Sequence, residues 1–220
     1  MTFHHAPPAP LASVVVPAFD AAATIRDCLA ALGAQTLGRD RLEVIVVDDG
    51  SSDATAAIAA AAGATALRQP HSSPAVARNT GARAATAPVL LFTDADCAPD
   101  PTWAERMLAP FADPNVCGVK GVYRTDQRAV LPRFVQAELE EKYRRLARFE
   151  SIDFVDTYAA AYRRDVFLAS GGFDALFPAH SAEDVDLSFR LARQGCRLVF
   201  APDARVRHRH ADRLPAYLYG

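Results

Sequence analysis

Leu42-Glu43-Val44-Ile45-Val46-Val47-Asp48-Asp49-Gly50-Ser51-Ser52-Asp53 is the stretch that decides the fold. Leu42–Val47 is too continuously apolar for a strand on an open surface, and it breaks at once into acids, a glycine and serines. A strand buried on both faces that ends in a polar turn belongs to a parallel sheet covered by helices. The flanking residues repeat the pattern. Upstream, Ala12–Val16 is an apolar run stopped by Pro17, and Thr24–Gln35 carries Ile25, Leu29 and Leu32 at helical spacing before Gly38. Downstream, Asp53–Ala62 reads as a helix closed by Gly63, and Thr65–Arg68 as a short third strand. Pro74–Ala85 is a helix opened by proline, and Val89–Thr93 a fourth buried strand. Strands alternating with helices imply right-handed βαβ units.

Beyond Cys97 the pattern loosens. Pro101–Phe111 reads as a helix with Trp103 in the core, Val116–Tyr123 as a strand, and Leu131–Phe149 as a long amphipathic helix whose Glu/Arg face is solvated. Phe154–Tyr162 is expected to be extended. Arg163 and Arg164 read as solvated charges, Ser181–Gln194 as a helix capped by Gly195, and Arg197–Ala201 as a strand. Residues 1–10 are expected to form a flexible segment. Residues 11–220 are expected to form one domain, with a nucleotide-binding half (11–100) and an acceptor and catalytic half (101–220).

The composition narrows the function. The 24 basic and 26 acidic groups give a net charge of -2, which argues against a nucleic-acid partner, since such domains carry a basic face. No apolar run has the ~18–20 residues needed to span a bilayer, and Met1–Pro10 lacks the basic and apolar regions of a signal peptide. Cys28, Cys97, Cys117 and Cys196 are widely spaced without a CxxC pair. The expectation is no disulfide and no zinc cluster, hence a reducing compartment.

The chemistry collects where strands end, because ligands of open α/β sheets bind outside the carboxyl ends of the strands. The first strand ends in Pro17-Ala18-Phe19-Asp20, the second in Asp48-Asp49, the fourth in Asp94-Ala95-Asp96. In the second turn, Gly50 supplies backbone freedom and Ser51, Ser52 or Asp53 an N-cap, which leaves two adjacent carboxylates unexplained. Carboxylates two apart beyond a strand, as Asp94 and Asp96 are, can converge on Mg²⁺ or Mn²⁺ shared with a diphosphate. Glu183-Asp184 opens a helix, either as acids of a capping box begun by Ser181 or as a general base. His208 and His210 lie in a basic patch with Arg205, Arg207 and Arg213, and are either structural or metal-directed. Arg78 is either a solvated helical arginine or a phosphate ligand.

In chain order, Val14-Val15-Val16-Pro17-Ala18-Phe19-Asp20, Val46-Val47-Asp48-Asp49-Gly50-Ser51-Ser52-Asp53, Ala77-Arg78-Asn79-Thr80-Gly81 and Asp94-Ala95-Asp96 form the first half of a signature. Gly171-Gly172-Phe173-Asp174, Glu183-Asp184-Val185-Asp186-Leu187 and His208 complete it. The set resembles the family-2 inverting glycosyltransferases of GT-A fold. The resemblance implies a nucleotide-diphosphate sugar donor; uridine is preferred over guanosine or thymidine only as the commoner donor base. Asp49 would accept a hydrogen bond from the base, beside Pro17, Phe19, Asp20 and Arg78, and Asp94 would face the ribose. Asp96, with Asp94, would bind Mn²⁺ or Mg²⁺ at the diphosphate. His208 would be the third metal contact and His210 its less favoured substitute. Asp184 would deprotonate the acceptor hydroxyl, supported by Glu183. Where the family often has Asn, this chain has Asp20.

The same resemblance implies a carbohydrate or lipid-linked acceptor in bacterial cell-surface glycan synthesis. It also implies a cytoplasmic location at the inner membrane face, with peripheral attachment through a part beyond Gly220. Two other functions compete. A sugar-1-phosphate nucleotidyltransferase needs a Gly-rich basic loop after the first strand, where this chain has Pro17–Ala22. A non-catalytic nucleotide-sugar-binding domain would have no use for intact acids at 94, 96, 183 and 184.

Overall fold

The computed structural model describes residues 8–177 and 182–210. In chain order the elements are β1 (Ala12–Ala18), α1 (Ile25–Gly33), β2 (Leu42–Asp48), α2 (Thr55–Ala61), β3 (Thr65–Arg68), α3 (Pro74–Ala84), β4 (Val89–Thr93) and β5 (Cys97–Pro99). Then come α4 (Trp103–Leu108), β6 (Val116–Arg124), α5 (Val130–Leu146), β7 (Ala159–Arg163), α6 (Arg164–Ala169), α7 (Glu183–Arg193) and β8 (Arg197–His208).

Among the described residues eight strands form one sheet in the order β3-β2-β1-β4-β7-β6-β8-β5. The first four are parallel, as the apolar strands imply. β7 then pairs antiparallel with both β4 and β6, while β6 and β8 run parallel. The alternation of strand side chains builds two cores. Val14, Val16 and Leu91 face α1 and α4, with Ile25, Leu32, Trp103 and Met107. Val15, Leu90 and Phe92 face α3, α6 and α7, with Ala77, Phe167, Leu187 and Leu191. Each fully buried Val, Leu or Phe contributes about 1.5–3 kcal/mol, so both layers are needed to hold the sheet.

Several expectations need correction. β1 does not stop at Pro17, which pairs with Val47. Asp49 N–H donates to Ala18 O, so Ala18 faces β2 and Pro17 faces the other side, where pairing with β4 has ended at Val15. Its missing N–H therefore costs no ladder bond. Of Phe154–Tyr162, expected to be extended, only the part from Ala159 is strand, and that strand runs on to Arg163. α2 begins at Thr55 with no side-chain cap, so Ser51, Ser52 and Asp53 are not N-caps. Arg163 is not a solvated charge: its guanidinium donates to the carbonyls of Val116, Phe111 and Asp113.

β8 is the largest surprise, running to His208 rather than stopping at Ala201. Its pairing with β6 slips between Lys120↔Phe200 and Val122↔Arg205. Exposed Pro202 and Asp203 occupy this irregularity, where a proline is tolerated. A Cβ on Gly121 would lie 2.6 Å from Ala204 O, so only glycine permits the approach.

Cys117 and Cys196 form a disulfide, contrary to expectation. They are 79 residues apart, a spacing without meaning until Val116 pairs with Arg197 and brings the Cα atoms to 5.5 Å. Cysteine spacing therefore gives no ground for inferring a reducing compartment. Cys28 and Cys97 are free and buried. The flexible N-terminal expectation falls largely on residues 1–7, and Ser181, Arg213 and the chain's last residues likewise lie outside the described set. Among the described residues no helix is long and apolar enough to cross a membrane.

Candidate active site

A cleft of about 840 Å³ opens at the carboxyl ends of β1, β2 and β4 and is closed on its far side by the start of α7 and the end of β8. The loop after β1 forms one rim. Asp20 has φ +45°, a left-handed conformation that Asp and Asn accept more readily than most residues. That preference accounts for Asp or Asn at this position. Its N–H donates to Ser51 Oγ, and its Oδ1 accepts from Ser52 N–H at 2.7 Å, so the carboxylate ties the first loop to the second. Phe19 is 49% exposed, and its ring lies 4.1 Å from the His71 ring.

The adjacent acids after β2 are each accounted for. Asp48 Oδ1 accepts from Ser51 N–H, and Arg68 stands 3.6 Å from Oδ2. Asp49, only 4% exposed, accepts from Gln69 Nε2 at 2.6 Å and from Ser72 N–H, with His71 Nδ1 3.1 Å away. Gly50 makes the turn at φ +85°, where a Cβ would also press within 2.8 Å of His71 N. His71 and Ser72 line the cleft, yet the sequence reading passed over them. Their only mark is polarity between the third strand and Pro74.

Arg78 is not a solvated helical arginine. It is 6% exposed, and from α3 its Nη2 reaches Asp94 Oδ1 at 2.9 Å while Nη1 lies 3.6 Å from Glu183 Oε1. One guanidinium thus links the acids after β4 to the acids that open α7.

Asp94 and Asp96 do converge: their oxygens and Cys97 Sγ lie within 4.8 Å of one another. β5 pairs antiparallel with the end of β8, and the register Cys97↔His208 brings His208 Nε2 to 3.2 Å from Asp96 Oδ2. Burial opposes ionisation of Asp96, but the hydrogen bond and charge of His208 outweigh it and hold the pKa below the ordinary value. Burial, then the charges of Asp94 and Asp96, push the Cys97 thiol far up, so it stays a neutral thiol. Two carboxylates and an imidazole remain, donors that suit Mn²⁺ or Mg²⁺. Tyr123, also passed over, stacks on His208 at 4.5 Å and turns its hydroxyl toward Asp94 at 3.4 Å. His210 is buried and absent from the cleft wall. The structure therefore separates the two histidines and leaves His208 as the one that faces the acids.

Glu183 and Asp184 line the cleft at the first turn of α7. Ala182 occupies the N-cap position without a side-chain bond; Ser181, the start of the supposed capping box, lies outside the described residues. Burial raises the pKa of Asp184, as does neighbouring Glu183, against the lowering effects of Val185 N–H and Arg78. A carboxylate of raised pKa that lines a cleft is suited to accept a proton. Pro17, Phe19, Asp20, Asp49, Arg78, Asp94, Asp96, Glu183, Asp184 and His208 all line this one cleft, and His210 alone does not.

The strand order and the placement of these acids define the GT-A class of glycosyltransferase. A mannosyltransferase from Pyrobaculum calidifontis, solved with GDP-Man and Mn²⁺, superposes with a TM-score of 0.75 at 26% identity, covering 97% of this chain and 62% of that one. S. aureus TarS shares the fold, with a TM-score of 0.67 over 90% of this chain and 36% of that one, at 20% identity. The chain belongs to glycosyl transferase family 2, whose model matches residues 13–170. Its relatives include the pre-mycofactocin glycosyltransferase of Mycobacterium tuberculosis, 35% identical over 79% of this chain. Glycosyltransferase AglE of Haloferax volcanii is 30% identical over 88% of it. The chain spans 38% and 65% of those two relatives' lengths.

Proposed function

We propose that this chain moves a sugar from a nucleoside-diphosphate donor to an acceptor hydroxyl with inversion at the anomeric carbon. The observation that carries the reading is the convergence of Asp49, Asp94, Asp96, Glu183, Asp184 and His208 on one cleft. The Asp49 end receives the base, where exposed Phe19 and His71 offer flat surfaces for it. Asp96, Asp94 and His208 would hold a divalent cation, which supplies Lewis-acid stabilisation of the diphosphate charge when bound. Arg78, held between Asp94 and Glu183, keeps the acids after β4 in register with those that open α7.

Asp184 takes the proton of the acceptor hydroxyl. The freed oxygen attacks the anomeric carbon, the bond from that carbon to the diphosphate oxygen breaks, and its electron pair leaves with the nucleoside diphosphate. Because attack and departure occupy opposite faces, the configuration inverts. The mannosyltransferase complex and the Asp94–Asp96 cluster support a nucleotide sugar and a divalent cation together. A guanosine donor therefore stands beside the expected uridine donor. A carbohydrate or lipid-linked alcohol remains the acceptor class.

A panel of UDP- and GDP-sugars with Mn²⁺, assayed for nucleoside diphosphate release to water and to simple glycosides, tests the reading. Asp184→Asn should cut turnover by roughly 10²–10⁴-fold, the usual worth of a general base, and leave Mn²⁺-dependent binding of UDP or GDP within about twofold. Tight nucleotide binding with no transfer or hydrolysis by the wild type would favour a non-catalytic binding module instead.

A further inference from the structure

Behind His208 runs a chain of ring nitrogens that ends on a helix of the acceptor-side half. His208 Nδ1 lies 3.3 Å from His210 Nδ1, and His210 Nε2 lies 3.5 Å from Gln136 Oε1 on α5. His210 and Gln136 are both buried. The direction of the amide is set by its other contacts: Gln136 Nε2 donates to Tyr123 O and to Glu140 Oε1, each at 3.3 Å. Turned the other way, the amide would set its oxygen against two acceptors. Gln136 Oε1 is therefore an acceptor, and His210 must carry its proton on Nε2. A neutral imidazole protonated there offers a lone pair at Nδ1. That lone pair takes the Nδ1–H of His208; a protonated His208 then donates Nε2–H to Asp96 Oδ2, 3.2 Å away, and a neutral one presents a bare Nε2 to it. Two lone-pair atoms facing each other at that distance repel unless a proton or a cation lies between them.

We propose that Gln136 and His210 are positioning residues that lock His208 in its Nδ1–H tautomer, with the Nε2 lone pair aimed at the divalent cation beside Asp96. The tautomer of a metal-binding histidine is generally fixed by the hydrogen bond at its other nitrogen. Ring orientation is fixed as well: Tyr123 stacks flat on His208, is itself stacked on Tyr158 at 3.6 Å, and meets His210 edge-on. The backbone beyond β8 is pinned where Gln127 Nε2 donates to His210 O at 2.9 Å. His210 thus serves the metal without touching it. The proposal rests on the cation site of the proposed function.

Two measurements on the full chain test it. Ring-nitrogen NMR of the chain with diamagnetic Mg²⁺ and GDP or UDP, about two pH units above the ordinary histidine pKa of ~6.5, should find His208 protonated on Nδ1 and His210 on Nε2. Mn²⁺ binding with GDP or UDP, followed by the paramagnetic resonance of free Mn²⁺, should weaken at least about tenfold in Gln136→Leu, the usual cost of losing such a partner. In His210→Phe, which removes the acceptor of the His208 Nδ1–H itself, it should weaken at least as much. His208 protonated on Nε2, or an unchanged Mn²⁺ affinity in a Gln136→Leu chain with a wild-type melting temperature, would overturn the relay and leave the cation site standing. A wild-type chain that binds no Mn²⁺ with either nucleotide would overturn the cation site, and with it the role given to the relay.

Discussion

The two ends of the cleft are built differently. At the nucleotide end, Asp49 is satisfied by Gln69, His71 and Ser72, all within 23 residues and on the loop that follows the neighbouring strand. At the chemical end, Asp96 meets His208 across 112 residues, and Arg78 reaches Glu183 from another element. The first end is assembled from the loops after two adjacent strands, close together in the chain, although His71 and Ser72 carry no mark in the sequence beyond their polarity. The second exists only once β8 has run its length beside β6 and β5. A site spanning both has one wall preformed by local backbone and another dependent on long-range pairing.

That contrast separates mutations by what they damage. The largest effect belongs to Asp184→Asn, which should remove roughly 10²–10⁴-fold of turnover while sparing nucleotide binding, as measured by nucleoside diphosphate release. Arg78→Met comes next. It strips the shared cation from Asp94 and Glu183, and because Asp94 is partly exposed the loss should lie near the low end for a broken buried pair, about 3 kcal/mol. Denaturant unfolding would show it; a loss under about 0.5 kcal/mol would mean that the acids after β4 and those of α7 are not coupled through this residue.

Asp49→Asn tests the local end. It should weaken UDP or GDP binding about tenfold, equivalent to ~1.4 kcal/mol, by calorimetry, with the turnover of bound donor little changed. The smallest expected effect is a displacement in pH. In the proposed mechanism transfer needs ionised Asp184, so the rate should rise with pH through its folded pKa, which burial and Glu183 have raised. Removing the neighbouring charge in Glu183→Gln lowers that pKa and moves the acid limb of the pH–rate profile to lower pH. A limb displaced upward would assign it to another group.

What the sequence disclosed follows the same division. β2, β3 and β4 lie within a residue of where apolar runs and their polar stops put them, because strand, turn and helix there are decided by neighbours in sequence. The acids of the site were equally legible, being chemically conspicuous at the ends of strands and helices. Hidden were the features made by pairing alone. β5 is three residues long, α6 is six, and the second half of β8 is disguised by Pro202 and its arginines. Only the alternation of buried Ala204 and Val206 with Arg205 and Arg207 marks that half as strand. The disulfide and the Gln136–His210 contact could not be seen for the same reason: each pairing exists only once the strands are in register.

The most direct measurement is an anomalous-scattering map of the chain crystallised with Mn²⁺ and GDP or UDP. A single manganese peak within roughly 2–2.5 Å of both an Asp96 oxygen and His208 Nε2, touching the diphosphate and facing Asp184 across the cleft, is the predicted result. A peak held by other residues, or nucleotide bound in this cleft with no metal at Asp96, would contradict the account.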